Sequence, residues 1–308
     1  MTTTKNKLKN LLLLFSIFIL NGVSAQQDST FISADTSHVH KTGELEYRCT
    51  CCVRNITRVN IDLLTNNTFS VAIGSANMYD TYLSPLEYKG FSVRLNYEQM
   101  RRTTWFNYRF YKQQVFDIEF AKGDNPAKNA SEYWFIANYR LGGHYRLLQK
   151  DGFRLGVGGL WDINGGVLYN DRNGNNPATA RGYTNLNLSA IASYKIKDIA
   201  LRWQLDTPVV GMLFSPRYGQ SYYEISLGNT VDVVNFSSLH NQRALRSYLT
   251  VDVPINKYII RVGYLGSFYQ TKVHNIQTHH YTNSFVLGFP IEGVKQSRSK
   301  AKNNYWNY

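Results

Sequence analysis

The chain has 308 residues with a formal net charge of +13, and 14% of its residues are aromatic while only 18% are charged. Beyond the N-terminus no apolar run reaches the roughly 18 residues of a spanning helix, so the sequence offers no helical membrane segment. The basic residues are scattered among the predicted strands and at both ends. Because nucleic-acid binding requires basic residues to be clustered, we expect no nucleic-acid partner.

The N-terminus has the three parts of a secretory signal peptide. Lys5, Lys7 and Lys9 precede a short apolar run, and the small residues Ser24 and Ala25 follow it. This order predicts a cleavable signal peptide over residues 1–25 and export across the inner membrane.

Residues 26–56 are polar and weakly patterned, which predicts a flexible N-terminal arm or plug. They contain all three cysteines, Cys49, Cys51 and Cys52, with His38 and His40 upstream. These residue types suit zinc or copper. A local disulfide with one spare thiol in an oxidising compartment is the simpler interpretation, and it is the one we favour.

Residues 57–290 repeatedly alternate apolar and polar side chains. The clearest case is 153–164, where Phe153, Leu155 and Trp161 share one face and Arg154 and Asp162 the other. A period of two predicts strands. The strands are long, Gly is frequent on the polar face, and a signal peptide precedes them, which favours a transmembrane β-barrel over a secreted sandwich.

Connection lengths predict the topology of an all-β, antiparallel barrel. Short periplasmic turns are expected at 100–103, 149–152, 196–198 and 254–257, and long extracellular loops at 79–89, 121–130, 169–182, 208–242 and 272–279. This arrangement gives ten strands. A further hairpin from 222–227 and 230–236 within the wall would give twelve, which we keep as the alternative. Residues 291–308 are predicted to be a basic, disordered C-terminal tail.

The polar face of the strands carries arginines and acids in similar number. In a barrel of ten or twelve strands these groups would face a narrow lumen and pair, because an unpaired buried charge costs several kcal/mol. We favour a structural, ion-paired core, and the alternative is a narrow, weakly anion-preferring, porin-like channel. The predicted lumen-lining residues are Arg94, Glu98, Arg109, Glu119, Arg140, Arg146, Arg154, Asp162, Arg202, Asp206, Arg246, Asp252 and Arg261.

No catalytic pattern is complete. An outer-membrane phospholipase carries a His-x-Ser pair before an Asn-Gly, but here Asn170 and Arg172 stand before Asn173-Gly174. Neither can act as nucleophile or base, so an outer-membrane lipid hydrolase is only the third hypothesis. A different Ser-His-Asp catalytic triad is still an alternative, since Ser215, Asp232 and His240 lie near one loop. The adjacent histidines His279 and His280 are a weak indication of a metal site, but we interpret them as part of an exposed loop. We expect no cofactor and no metal.

Three loop stretches together resemble a family of outer-membrane barrel proteins from Bacteroides-type Gram-negative bacteria. They are DTYLSPLEYKG at 80–90, NGNNPATA at 173–180 and FSPRYGQSYYE at 214–224. The resemblance implies a barrel in the bacterial outer membrane and carries no activity with it. Expected partners are outer-membrane lipid, the barrel-assembly machinery and a small-molecule or glycan ligand at the extracellular loops. The candidate recognition residues are Tyr82, Tyr88, Asn176, Arg217, Tyr218, Tyr222 and Tyr223, unless these loops simply fold into the barrel mouth.

Overall fold

The computed structural model describes residues 65–103, 105–174, 176–228, 232–255 and 258–292. All of them belong to one compact unit, Thr50–Tyr308. The predicted signal peptide, the N-terminal arm with its three cysteines and nearly all of the predicted C-terminal tail lie outside the described residues.

The described chain is almost entirely strand. The strands are β1 (Thr65–Asp80), β2 (Ser84–Arg102), β3 (Phe110–Asp124), β4 (Ser131–Lys150), β5 (Phe153–Asn170), β6 (Ala178–Ile196), β7 (Ile199–Phe214), β8 (Val234–Ser238), β9 (Gln242–Ile255), β10 (Tyr258–Val273) and β11 (Ile276–Glu292). Besides a single turn at Trp105–Tyr108 with left-handed residues in it, the described chain has a short helix, α1 (Tyr222–Ser226), which begins at the N-cap Ser221, whose hydroxyl accepts from the Glu224 N–H. Among the described residues no helix has the length and hydropathy needed to cross a membrane.

The strands close into an antiparallel barrel of ten wall strands. Each strand from β1 to β7 pairs with the next one along the chain. On the other side β9 pairs with β10, β10 with β11, and β11 with β1. Both β8 and β9 pair antiparallel with β7, through Val210 opposite Ser238 and Asp206 opposite Arg246. They are therefore two parts of one wall strand, interrupted at 239–241. The prediction of a ten-stranded barrel is confirmed.

The twelve-strand alternative is wrong, because its extra hairpin does not exist. Residues 222–226 form α1, and 234–238 form the start of the ninth wall strand. The Ser221–Glu224 capping box explains the helix, since both side chains satisfy backbone N–H groups at its start.

Several connections are shorter than predicted because the strands continue into them. The turn between β1 and β2 is 81–83 and that between β10 and β11 is 274–275, while 215–233 is the long connection. At the other end β2 continues to Arg102, and the chain reverses at 103–109 instead of 100–103. Aromatic residues at 106, 108 and 110 imitate a strand pattern there, although Phe106 (φ 52°) and Tyr108 (φ 61°) have left-handed backbone.

The two faces of the wall differ as the alternation predicts. The outer face is apolar and the inner face is polar and buried. We call the barrel end that carries Thr65 and Glu292 the terminal end, and the end that carries 81–83 and 215–233 the loop end. Large exposed apolar side chains on the outer face include Phe69, Ile73, Phe91, Leu95, Phe116, Phe120, Phe135, Trp161, Leu186, Leu188, Trp203, Phe285, Leu287 and Phe289.

Apolar residues also fill the inside near both ends. At the terminal end Met100, Tyr111, Ile191 and Ala200 form one cluster. Gly156 leaves room for Tyr111, since a Cβ at this position would lie 2.1 Å from the Tyr111 hydroxyl oxygen. The charged groups of the interior lie between this cluster and a larger one at the loop end.

Candidate functional site: the charged interior

One carboxylate in the terminal half joins opposite sides of the barrel. Glu98 lies on β2 and Arg202 on β7, five strands away in either direction around the ring of ten. The Arg202 Nη1 and Nη2 atoms donate to Glu98 Oε2 and Oε1 at 2.9 and 2.7 Å. Both side chains are buried. A two-pronged guanidinium–carboxylate contact is the strongest and most directional ion pair in proteins, and here it crosses the full interior.

Further polar groups extend this bridge. Arg261 on β10 donates to Glu98 at 2.9 Å and holds Asp252 on the neighbouring strand with two hydrogen bonds of 2.7 and 2.8 Å. Gln113 Nε2 donates to Glu98 at 2.6 Å and to Gln204 Oε1 at 3.0 Å. The second of these hydrogen bonds crosses the lumen from β3 to β7. The side chains therefore cross the lumen at this level.

The middle of the barrel holds a second network built on neighbouring strands. Arg94 pairs with Glu119, its partner in the β2–β3 register, and lies 3.6 Å from Asp117. Arg140 pairs with Asp117, and His280 Nε2 lies 3.3 Å from Glu119. Because each guanidinium faces at least one carboxylate, the desolvation of these buried charges is largely offset.

A Ser, a His and an Asp meet in this network, but in the wrong order for nucleophilic catalysis. His144 Nε2 lies 2.7 Å from Ser189 Oγ, and the same hydroxyl donates to Asp206. In a catalytic triad the imidazole stands between the acid and the hydroxyl, so that it can take the hydroxyl proton. Here Ser189 stands between them and is fully buried, while Asp206 is paired with Arg246 at 3.1 Å.

A second diametric pair lies near the loop end. Asp80 ends β1, and Arg181 on β6 is again five strands away around the wall. The Arg181 Nε donates to Asp80 Oδ2 at 2.8 Å, and its Nη1 donates to Ser215 Oγ at 3.3 Å. Asp80 is fully buried. This pair ties two opposite walls to the 215–233 segment.

Apolar side chains close the loop end beyond this pair. The cluster includes Met78, Tyr88, Trp134, Leu168 and Ile276, with Tyr222 of α1 packed against it. We call this group the loop-end plug. Its members are apolar or aromatic, so packed side chains fill the lumen there.

Two tyrosines fasten the loops over the plug. The Tyr82 hydroxyl donates to the Gln220 carbonyl at 2.9 Å, and burial raises the pKa of Tyr82, so this hydroxyl keeps its proton. The Tyr222 hydroxyl accepts from the Ala180 N–H at 2.7 Å and lies 2.6 Å from the Thr179 hydroxyl. The segment 215–233 is thereby attached to β6 and to the 81–83 turn.

Glu132 is the exception to the paired interior. It lies on β4 opposite Asn170 and is fully buried. Neither carboxyl oxygen has a hydrogen-bond partner among the described residues. An uncompensated buried carboxyl opposes folding.

A small cavity of about 70 Å³ remains between the middle network and the loop end. Arg140, Asp162, Tyr183 and Tyr269 line it together with Trp134. Asn187 donates to Asp162 at 3.0 Å. This volume has room for a few water molecules.

Most predicted lumen residues lie inside, and one prediction is wrong. Arg109 is exposed, because it follows the left-handed turn and its guanidinium donates to the Tyr145 hydroxyl at 3.4 Å on the outer face. Arg146 and Arg154 are half-buried at the terminal end. The buried members are Arg94, Glu98, Glu119, Arg140, Asp162, Arg202, Asp206, Arg246, Asp252 and Arg261.

The predicted recognition residues divide into two groups. Tyr82 and Tyr88 belong to the plug and are buried, so as surface residues these two predictions are wrong. Asn176 and Tyr222 are half-buried. Arg217, Tyr218 and Tyr223 are exposed on the 215–233 segment.

The structure does not bring the candidate loop triad together. Ser215 accepts from Arg181, Asp232 pairs with Arg217, and His240 Nδ1 lies 2.6 Å from Ser238 Oγ.

The interpretation of His279-His280 as exposed loop is wrong, because both residues lie on β11 and are buried. His280 stacks on Trp134 with ring centroids 4.5 Å apart, and His279 stacks on Tyr281 at 4.4 Å. Among the described residues no group of three or more His, Cys, Asp or Glu is placed to hold a metal.

Sequence reasoning missed the second diametric pair. Asp80 and Arg181 both fell in predicted loops, at 79–89 and 169–182. The sequence did contain a sign of their position. When every second residue is counted on from the inward-facing residues of its strand, each of the two falls on the inner face. Gln113 and Gln204 were missed because an amide carries no charge that marks it as a network member.

These features define a class: a closed antiparallel barrel with an apolar outer face and an interior filled by paired side chains. The family model described as "Protein of unknown function (DUF3316)" matches residues 11–300, and the chain belongs to this family. No curated protein matches the chain.

Solved structures similar to the chain include three bacterial proteins. The translocator domain of autotransporter NalP from Neisseria meningitidis is 8% identical with a TM-score of 0.37, covering 78% of this chain and 96% of that one. Ail, the attachment invasion locus protein of Yersinia pestis, in complex with the heparin analogue sucrose octasulfate, is 10% identical with a TM-score of 0.29, covering 74% and 99%. A Pseudomonas aeruginosa FadL homologue is 9% identical with a TM-score of 0.33, covering 75% and 89%.

Proposed function

We propose that the protein is a closed, non-conducting barrel of the bacterial outer membrane that serves as a structural or ligand-recognising surface protein. The membrane location is supported by the outer face, where large apolar side chains such as Phe69, Phe135 and Trp203, on well-separated strands, are exposed around the wall. Soluble monomers rarely expose contiguous apolar surface of this extent, and lipid-facing barrel walls always do. The signal-peptide pattern of residues 1–25 agrees with export.

The main observation in favour of a closed barrel is the Glu98–Arg202 ion pair, which joins opposite sides of the wall. A solute that passed this level would have to separate a buried, two-pronged ion pair and leave at least one charge without its partner. Such a separation costs about 3–5 kcal/mol. The Asp80–Arg181 pair and the loop-end plug would obstruct the same path a second time.

Liposome swelling tests this closure. Proteoliposomes that contain the refolded chain, with folding checked by the heat-dependent shift of its band on a gel, are transferred into solutions of small sugars or amino acids. We expect the swelling rate to equal that of protein-free liposomes. Swelling faster than the protein-free rate, graded by solute size, would contradict the closed barrel.

The alternative is a narrow, weakly anion-preferring channel. The cavity of about 70 Å³ beside Arg94, Arg140 and Arg246 is the observation that favours it, since a chain of waters could begin there. For this alternative to hold, small anions would have to leak from loaded proteoliposomes faster than small cations.

The exposed part of the 215–233 segment is the best candidate for recognition. Tyr218 is 76% exposed and Tyr223 is 72% exposed, although both are large amphipathic side chains. Arg217, which precedes Tyr218 in the sequence, pairs with Asp232 and adds polar groups to the same segment. Planar aromatic groups next to fixed polar groups suit a glycan ligand, whose sugar faces stack while its hydroxyls accept and donate.

A glycan array probed with the refolded protein tests this surface. We expect selective binding that Tyr218→Ala/Tyr223→Ala abolishes. Tyr258→Ala is the matched control, because Tyr258 is equally exposed but lies at the terminal end. Identical binding by the wild type and the double variant, or no selective binding by the wild type, would remove the glycan hypothesis.

Insertion by the barrel-assembly machinery and contact with outer-membrane lipid follow from the proposed location. We propose no hydrolase, since Ser189 lacks access to solvent and stands on the wrong side of His144 for activation. The Bacteroides-type origin stays a prediction of the loop resemblance.

A further inference from the structure

One segment at the terminal end combines cations and aromatic rings without any acid. The sequence from Gln99 to Gln114 contains four basic and five aromatic residues and no Asp or Glu. The facing part of β4, residues 143–150, also lacks acids. At the loop end of the same two strands, by contrast, acids accompany the cations: Lys89 pairs with Glu87 at 3.5 Å and lies opposite Asp124.

The outward-facing side chains of β2 and β3 change character in order toward the terminal end. Successive opposite pairs in the register are Leu95 with Ile118, Tyr97 with Phe116, Gln99 with Gln114, and Arg101 with Lys112. The pairs thus change from apolar to aromatic, then to amide and finally to cationic. This order matches a wall that passes from the hydrocarbon core through the interface into the headgroup layer.

The last of these pairs places two cations directly opposite one another. Arg101 and Lys112 are both exposed. Like charges at directly opposite positions of neighbouring strands destabilise the pairing. An anion bound between them would turn this repulsion into attraction, so the arrangement itself points to a negatively charged ligand.

The adjoining turn adds apolar contact and a further cation. Trp105 and Phe106 are 64% and 66% exposed, and both rings lie about 6 Å from Phe110, at 5.7 and 6.2 Å between centroids. Arg109 lies on the same outer side, with its guanidinium on the Tyr145 hydroxyl.

The backbone that presents these rings is strained. Phe106, Asn107 and Tyr108 have φ values of 52°, 55° and 61°. Three successive left-handed residues without glycine are costly and tend to persist where function requires them.

We propose that Arg101, Lys112 and Arg109 form a binding site for the phosphate group of an anionic phospholipid, with Trp105 and Phe106 inserted at the boundary of its acyl chains. The proposal rests on the membrane location given under Proposed function and adds a specific lipid partner to it. Two residues of a tilted strand advance about 5 Å along the membrane normal. If the Gln99–Gln114 pair marks the hydrocarbon edge, Arg101 and Lys112 therefore lie inside the headgroup layer, which is about 5–7 Å thick on each side.

A lipid-retention experiment tests the site. The full chain is refolded in detergent with equal amounts of phosphatidylglycerol and phosphatidylcholine and purified, and the lipid that remains bound is quantified by mass spectrometry. The variant is Arg101→Gln/Lys112→Gln. The matched control is Lys128→Gln/Lys272→Gln, which removes two exposed charges at the loop end. Every preparation must show the heat-dependent gel shift of a folded barrel.

We expect the wild type and the control to retain phosphatidylglycerol in roughly 100-fold excess, since each of the three basic residues of the site contributes about a fivefold preference for anionic lipid. Arg101→Gln/Lys112→Gln should lower this excess to the roughly fivefold that Arg109 alone supplies, and Arg101→Lys should keep the full excess. Equal enrichment in the wild type and the double variant would overturn the proposal, as would no enrichment in the wild type. Failure of the folded chain to enter lipid bilayers would instead contradict the membrane location itself.

Discussion

At the scale of single residues, the interior is governed by whether each buried charge has a partner. Arg202 and Arg261 are buried among acids and amides that hold their guanidinium groups. Glu132 is buried just as completely, but its oxygens have no hydrogen-bond partner among the described residues. Residues of these two kinds should respond to substitution in opposite directions.

Replacing Arg202 by Ala should destabilise the barrel by about 3–5 kcal/mol, because Glu98 stays buried with half of its hydrogen bonds removed. The measurement is the denaturant concentration at which the refolded protein loses its heat-dependent gel shift. Lys128→Ala, an exposed loop change, is the control and should have little effect.

The double variant Glu98→Gln/Arg202→Met separates pairing from packing. It removes both charges together, so it should recover much of the stability that Arg202→Ala loses. If the double variant lost as much stability as Glu98→Gln and Arg202→Met lose in sum, the ion pair would not be the source of the effect.

Replacing Glu132 by Gln should stabilise the barrel by about 1–3 kcal/mol, because a neutral amide costs less to bury than a carboxyl without hydrogen-bond partners. The same unfolding assay applies. Glu87→Gln is the control, since Glu87 is exposed at the same end and pairs loosely with Lys89 at 3.5 Å. A loss of stability in Glu132→Gln would contradict this account of the buried carboxyl.

At the scale of elements, the 215–233 segment is a connection whose described residues reach the barrel mainly through side-chain contacts. It joins β7 to β8, carries α1, and is held to β6 by the Tyr222 hydroxyl and to the 81–83 turn by Tyr82. A connection outside the hydrogen-bonded wall opens more readily than the wall strands.

Tyr222→Phe should therefore loosen the segment while leaving the wall intact. It deletes the hydroxyl that accepts from the Ala180 N–H at 2.7 Å and keeps the ring that packs on the plug. Limited trypsin cleavage after Arg217 should be several-fold faster than in the wild type, since a lost hydrogen bond is worth about 1 kcal/mol. Tyr218→Phe, which alters an exposed side chain in the same segment, should be cleaved at the wild-type rate. Equal rates for both variants would show that the Tyr222 hydroxyl does not hold the segment.

At the scale of the whole molecule, the ten strands and the two faces could be predicted from the sequence, because a period of two is a local signal that each strand carries. Arg94 and Glu119 could be assigned to the interior for the same reason. The diametric pairs could not, since they join β2 to β7 and β1 to β6, and only closure of the ring brings these strands opposite one another. The 105–108 turn was missed because its aromatic residues keep the alternation of a strand through a left-handed backbone.

The central claim is that side chains close this barrel across its diameter, and single-channel recording tests it most directly. The refolded full chain, selected by its heat-dependent gel shift, is inserted into a planar bilayer and recorded at both polarities. The closed interior predicts no steady conductance steps above the bare bilayer. Stable steps that change in size or ion preference in the Arg202→Ala variant would contradict it and establish a pore through the Glu98–Arg202 level.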